Sequence, residues 1–428
     1  MKQKIIILGG GVAGISAAFY ALKSGFDLTL VEANSSLGGR INSRIDSKTN
    51  DSIDNGQHLL VGAYSIFLDI LKNIKTYDKL KIQDSFFVKY LDSNSTFNLE
   101  EKYFKGQVGL LFGLLLLNKF TFNEKISAIN FILKIKLNLF AKNKEKLIDV
   151  LKKNNQSNEL IRILWEPMCL ATLNTPINIA DTSIFANVLR QSFFAGGFAS
   201  KLILSKIGLS ELIFPFEKYL IENGVRLLKN HSVKEFEIND KKITKVKLTK
   251  NIELEADYFI SCLPYNRLNK LIENDIELDS SPIISAYLWF DEVFFEDEFV
   301  AVLDKNIQWI FNKRKFGFNE GEKEFPQFLS IVISDASKLI ELGNEEILNI
   351  ILKEIDELFP VKKNLLHHKI IKEKNATFLA DLNNQKKREN IISPFDNLLI
   401  AGDWTDLTLP STIESAARSG KSAVEKIS

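Results

Sequence analysis

Between a four-residue apolar run, IIIL, and a helix-forming run, ISAAFYAL, stands GGGVAG at residues 9–14. Glycines at Gly9, Gly11 and Gly14 let a chain bend tightly after a strand, bring its backbone close to a pyrophosphate, and pack the next helix against that strand. The helix start then presents free N–H groups to negative charge. Gly25 stops the helix, and DLTLV follows as a second buried strand ending at Glu32, eighteen residues after Gly14. A carboxylate there accepts hydrogen bonds from ribose hydroxyls and disfavours a 2′-phosphate. Strand, helix and strand make a right-handed βαβ unit, so a parallel sheet is expected at the start of the chain.

A chain of 428 residues exceeds the usual size of one domain, and two lobes with substantial cores are expected. Lysine and arginine total 55 against 54 aspartates and glutamates, which leaves no global attraction for nucleic acid. Cys169 and Cys262 lie far apart, and the four histidines have no metal-ligand spacing, so neither a disulfide framework nor a metal site is indicated. The apolar run of MKQKIIILGGG is too short for a signal peptide, and a cytoplasmic start is expected.

Repeats and long linkers are absent. Residues 95–205 read as helical, with ISAINFILKIKLNLF as an amphipathic example. Short strands follow in VRLLKNHSVKEFEINDKKITKVKLTK and ADYFISCLP, then ISAYLWF as a strand, NEEILNIILKEIDELF as a helix and NLLIAGDW as a last strand. The reading is a mixed α/β fold with a Rossmann-like lobe, discontinuous in sequence, from residues 1–94, 206–275 and 390–428. A second lobe of helices and sheet takes 95–205 and 276–389.

Two further segments extend the glycine turn into a larger site. LGGR, residues 37–40, follows the second strand, and Gly38, Gly39 and Arg40 offer backbone donors and a fixed cation for a pyrophosphate. Near the end, Gly402 and Asp403 follow a strand and precede a helix. Asp403 suits ribityl hydroxyls, and Ser411 with Glu414 reads as a capping box. Ile413, Ala416, Ala417, Gly420, Ala423, Val424 and Ile427 form a buried stripe, and the positive helix start favours negative charge on a reduced flavin. GKS at 420–422 is no P-loop, because Ser415 stands where the first glycine belongs.

Together these segments resemble the FAD-dependent amine oxidase and phytoene desaturase superfamily over essentially the whole chain. IDNGQHLLVGAY (53–64), LWEPMCLATLNTP (164–176) and GDWTDLTLPSTIESAARSG (402–420) look like its squalene-associated branch, the hydroxysqualene dehydroxylases. The resemblance implies FAD as cofactor, a discontinuous FAD lobe, and reduction of hydroxysqualene to squalene for hopanoid or sterol synthesis. It implies that Val12, Ala13, Ala33, Asn55, Gly56, Gln57, Thr412 and Ile413 join the FAD-binding residues named above. It further implies that Val233 presents its backbone to the adenine and that Gly56 with its neighbours passes over the flavin. One departure is Arg388-Glu389, read as part of a lysine-rich loop, where relatives commonly carry Arg-Pro.

The ten apolar residues VGLLFGLLLL (108–117) are half the length needed to cross a bilayer. They read either as core or as a lipid mouth in a peripheral membrane contact, with Lys102, Lys105 and Lys119 meeting anionic head groups. An alcohol leaves poorly as hydroxide, so His58 or Gln57 is the candidate to support the departing oxygen; the alternative is that Asn55, Gln57 and His58 only satisfy a buried loop. Trp165 and Trp404 are candidates for cation-π contact with a developing allylic cation. A single dinucleotide fingerprint leaves the electron donor unidentified. Two rivals remain: a carotenoid-type desaturase of dehydrosqualene or phytoene, and a non-catalytic prenyl carrier of the escort type.

Overall fold

The computed structural model describes residues 2–92 and 95–427. Five parallel strands form one sheet in the order Arg226–Leu228, Asp27–Val31, Lys4–Leu8, Tyr258–Ser261, Leu398–Ile400. Lys4–Leu8 is central because it is the most continuously apolar: Ile5, Ile7 and Leu8 are wholly buried. The chain winds from it to one side through Asp27–Val31 and returns to the other side at Tyr258–Ser261. The glycine loop at its carboxyl end therefore occupies the point where strand order reverses, where open α/β sheets bind ligands.

Helices Val12–Lys23 and Ile413–Glu425 pack together beside this sheet. Their approach rests on Gly420, where an added Cβ would lie 2.1 Å from the Ala13 carbonyl oxygen. The opposite face carries a three-stranded sheet, Val233–Asn239, Lys242–Leu248 and Glu253–Leu254, through Phe236, Val246 and Leu248. Helices, parallel sheet and small sheet make three layers around one core.

A seven-stranded sheet builds the second body, in the order Leu365–Phe378, Ser280–Phe290, Gln327–Ile333, Trp309–Asn312, Phe299–Val302, Phe87–Asp92, Ser95–Glu100. Side chains alternate across it as a strand requires. Ile284, Ala286 and Leu288 pack on helix Asn344–Leu358, while Tyr287 and Trp289 join the core shared with the helices between residues 106 and 191. Phe87–Asp92, within segment 1–94, pairs into this sheet, and Leu202–Ser205 pairs with Leu60–Val61 and Leu80–Ile82.

Three local expectations change. Ser95–Glu100 is a strand rather than helix, because Phe97 and Leu99 alternate with polar residues opposite Tyr90 and Val88. The Arg388-Glu389 segment is the end of helix Leu382–Glu389, not a loop; Asp381 caps it by accepting from the Asn384 N–H at 2.8 Å. The closing helix starts one residue later than a Ser411 cap requires: Thr412 is the cap, paired reciprocally with Ser415. Ser411 and Glu414 are both drawn to partners elsewhere.

Candidate active site

Gly9 takes φ +105°, open to glycine almost alone, and its N–H donates to the Val31 carbonyl at 2.8 Å. Gly14 lets the following helix sit on this turn, since a Cβ there would lie 1.9 Å from the Gly9 oxygen. Gly11 begins the helix with no atom within 4 Å of where its Cβ would be. The Gly38–Gly39 turn is laced to this loop: the Gly38 N–H donates to the Gly10 carbonyl at 2.8 Å, and Gly38 bridges Gly11. Two glycine turns separated by a helix and a strand thus form one floor. At its edge the Glu32 carboxylate accepts from the Gly10 and Asn34 N–H groups, each at 2.7 Å, and retains further acceptor capacity.

Arg40 reaches from the second glycine turn to Asp403, 2.5 Å away, and donates to the Ala376 carbonyl at 3.1 Å and to Ser411 Oγ at 3.3 Å. Ser411 also donates to the second Asp403 oxygen. Asp403 is buried, which would raise its pKa, but the Arg40 guanidinium and the Ser411 hydroxyl outweigh burial and hold it below the usual carboxylate range. This triad explains the shifted cap, for Ser411 serves Asp403 rather than the helix. Glu414 turns to the neighbouring helix Ser65–Asn73, accepting from the Ile66 and Phe67 N–H groups at 3.0 and 3.1 Å and from Ser65 Oγ at 3.3 Å. Burial pushes its carboxyl up to about 7.

These groups face one continuous cavity of about 2310 Å³. That is larger than the roughly 300–1,000 Å³ of a pocket for a single small ligand. One end is lined by Glu32, Ala33 and Val233 beside the glycine turns, with Val12, Ala13, Thr412 and Ile413 in its wall. The other end is apolar, with Tyr90, Met168, Phe193, Ile283, Trp309 and Phe311. Asn55, Gly56, Gln57 and His58 line it as well. Of the residues expected to bind the cofactor, Gly14 stands apart: it serves helix packing and does not reach the cavity.

The flavin-containing amine oxidoreductase family matches residues 12–428. The chain belongs to that family. It is 26% identical to the hydroxysqualene dehydroxylase of Sinorhizobium fredii, over 99% of this chain and 98% of the relative. With the hydroxysqualene dehydroxylase of Zymomonas mobilis it shares 27% identity over 98% and 97%. Putrescine oxidase, solved with putrescine bound, has the same fold: TM-score 0.71 at 14% identity, covering 100% of this chain and 99% of that one. The chain is an FAD-dependent oxidoreductase with the amine oxidase fold.

The residues of this flavin oxidoreductase fit the cofactor: a doubled glycine floor, an open helix start at Gly11, an acid at the far edge and a cavity with volume to spare. The segment 55–58 is held from the second body. Asn55 donates to Glu373 at 3.2 Å. Buried Lys313 donates to Gln57 Oε1 at 3.1 Å, with Asp54 3.6 Å away and the Phe318 ring centroid 3.6 Å below. Gln57 then donates to the His58 carbonyl at 3.2 Å. Neither ring nitrogen of His58 has a hydrogen-bond partner among the described residues, and burial lowers its pKa, so the ring is neutral near neutral pH.

Glu373 and Lys313 were not found by sequence reasoning, and Arg388 was singled out only as part of a loop that departs from the family pattern. Arg388 is buried and donates to the carbonyls of Trp404 (3.0 Å), Leu409 (3.1 Å) and Asp406, shaping the loop after Asp403. Charged side chains in a lysine-rich sequence carry no local mark of burial; the partners of Lys313 and Glu373 lie hundreds of residues away, and those of Arg388 are backbone carbonyls of a loop beyond its own helix. Of the two aromatic candidates, Trp404 lines the cavity. Trp165 does not: its indole N–H donates to Gln156 at 2.8 Å inside the helical core.

Proposed function

We propose that this enzyme reduces hydroxysqualene to squalene with loss of water, a step toward triterpenes such as hopanoids. The observation that carries the reading is the single cavity that takes in both the glycine-floored cradle and the apolar side chains of the second body. A chamber walled by Tyr90, Met168, Phe193 and Trp309 suits a long hydrocarbon and excludes water. In this reading the N–H groups of the glycine turns and Arg40 hold the pyrophosphate, Glu32 the ribose, Val233 the adenine and Asp403 the ribityl chain.

When bound and reduced, FAD supplies the hydride that replaces the hydroxyl, which leaves with one proton as water. His58 is the residue for the departing oxygen, because both Gln57 amide groups already have partners, Lys313 and the His58 carbonyl, whereas the His58 ring has none. A neutral imidazole donates its N–H to that oxygen and so lowers the cost of breaking the C–O bond. Lys313 acts through Gln57 as a positioning residue.

The test is a single turnover without oxygen. The purified protein is chemically reduced, hydroxysqualene is added, and flavin absorbance is followed alongside extracted lipid. Reoxidation matched one-for-one by squalene is the expected result. A flavin that stays reduced, while the oxidised enzyme bleaches with phytoene or dehydrosqualene, transfers the chain to desaturation. A protein that cannot be loaded with flavin at all makes it a carrier.

A further inference from the structure

Two consecutive helices, Gly106–Leu116 and Phe122–Lys136, bury one side in the helical core and leave apolar side chains on the other. On the first, Val108, Phe112 and Leu116 recur every fourth residue on the outer face. On the second, Phe122, Ile126, Leu133 and Leu137 keep the same helical spacing. These seven side chains are 38–71% exposed. Tyr103 and Phe104 extend the first stripe by packing against Phe112, the one edge-on and the other tilted, with ring centroids 6.4 and 5.1 Å from it. An amphipathic helix of an isolated globule has a polar outer face; both of these carry large apolar side chains there as well, on the second helix among exposed Asn123, Asn130, Lys134 and Lys136.

The charge around the stripes is one-sided. Residues 101–146 contain nine lysines and three glutamates, with neither aspartate nor arginine, a net charge of +6 in a chain whose total is +1. The stripes also adjoin the cavity. A Cβ on Gly106 would lie 2.9 Å from the Gly197 nitrogen, and one on Gly196 would lie 2.8 Å from the Gln107 side chain, while Gly196 and Phe198 themselves line the cavity. On the inner side of the first helix, Leu110, Leu111 and Leu114 wall a small apolar chamber of about 40 Å³ that shares Phe86, Leu99, Met168 and Phe193 with the cavity's apolar end.

We propose that this two-helix face docks in the interface of an anionic lipid bilayer and that the isoprenoid passes from the bilayer to the cavity beside the Gly106–Leu116 helix. The isoprenoid part rests on the function proposed above; the docking does not. Apolar stripes ringed by lysines match acyl chains beneath anionic head groups. A second copy of the chain is a poor occupant, because a two-fold contact would bring +6 against +6. Among the described residues no helix is long and apolar enough to cross a membrane, so the helices lie in the interface.

The experiment is sedimentation of the FAD-loaded enzyme, without substrate, with phosphatidylglycerol-containing vesicles and with pure phosphatidylcholine vesicles, at low and high salt. Expected are binding about tenfold tighter to the anionic vesicles, weakening with salt, and a further loss of about tenfold in Phe112→Glu/Leu133→Glu. Ile221→Glu, an exposed apolar position on helix Pro215–Glu222 beside the parallel sheet, should bind like the unmodified enzyme. If the double glutamate variant misfolds, Lys105→Glu/Lys134→Glu tests the charge ring alone and should lose the anionic preference. Equal vesicle binding by the unmodified and charge-reversed proteins overturns the proposal. So does a dimer, by light scattering, that Phe112→Glu/Leu133→Glu dissociates. Failure of the single-turnover assay leaves the docking result standing, so the two readings fall separately.

Discussion

Arg40→Met isolates what the cation beside Asp403 does for the protein before any cofactor is considered. Methionine keeps much of the apolar stem but removes the contact to Asp403 and the donors to Ala376 and Ser411. Asp403 then remains buried with Ser411 as its main side-chain partner. Removing one member of a fully buried ion pair costs about 3–5 kcal/mol. Here 55% of the Arg40 side chain is reachable from the cavity, and water there screens the pair, so the expected loss is about 1.5–2.5 kcal/mol. The assay is urea unfolding of flavin-free protein, which keeps ligand binding out of the comparison.

The pH dependence carries the sign. In the unmodified protein the folded-state pKa of Asp403 is depressed, so its stabilisation is present above the unfolded carboxyl pKa and is lost as pH falls through the lower folded value. Without the guanidinium, burial raises that pKa, and the penalty is relieved as acid neutralises the carboxyl. The deficit of Arg40→Met should therefore shrink as pH falls from about 7 toward about 4. Asp403→Asn in the same background should return about 1 kcal/mol, by removing the stranded charge. An Arg40→Met protein within about 0.5 kcal/mol of the parent at every pH, with additive double-variant behaviour, would refute the structural role.

Gly420→Ala should destabilise by about 1–3 kcal/mol despite alanine's better helix propensity, because the methyl meets the Ala13 carbonyl at 2.1 Å and the two helices must separate; thermal unfolding reads it. Glu414 has a folded pKa raised to about 7, so its contribution is full below the unfolded carboxyl range and is lost as pH rises through about 7. Glu414→Gln should flatten the stability profile between about pH 4.5 and 7, by an amount on the order of 2–3 kcal/mol; an unchanged profile would show that the carboxyl is not held protonated. His58→Ala should lower single-turnover squalene formation about 100-fold while leaving the flavin spectrum intact. Full turnover in that variant would return His58 to the structural role of a loop residue.

Local physics explains how much of this protein could be read from its chain. A strand that ends in glycines, a helix with small residues on one face and an acid after the next strand are interactions among near neighbours, so residues 4–33 announced their own fold. The apolar stripe of the closing helix was legible for the same reason. Its cap was not: Ser411 and Thr412 are both competent, and the choice fell to Thr412 because Arg40 and Asp403 engage the Ser411 hydroxyl. Glu414 likewise left the expected capping box for the start of a helix almost 350 residues earlier.

The sequence by itself therefore determined the dinucleotide unit, the glycine turns and the apolar stripe of the closing helix, since backbone freedom and hydrophobic period belong to short segments. Only the tertiary structure decided that Lys313 is buried against Gln57, that Glu373 meets Asn55 and that Arg388 moulds the loop after Asp403. A charged side chain becomes worth burying only when distant partners converge on it, and that convergence is a property of the folded chain.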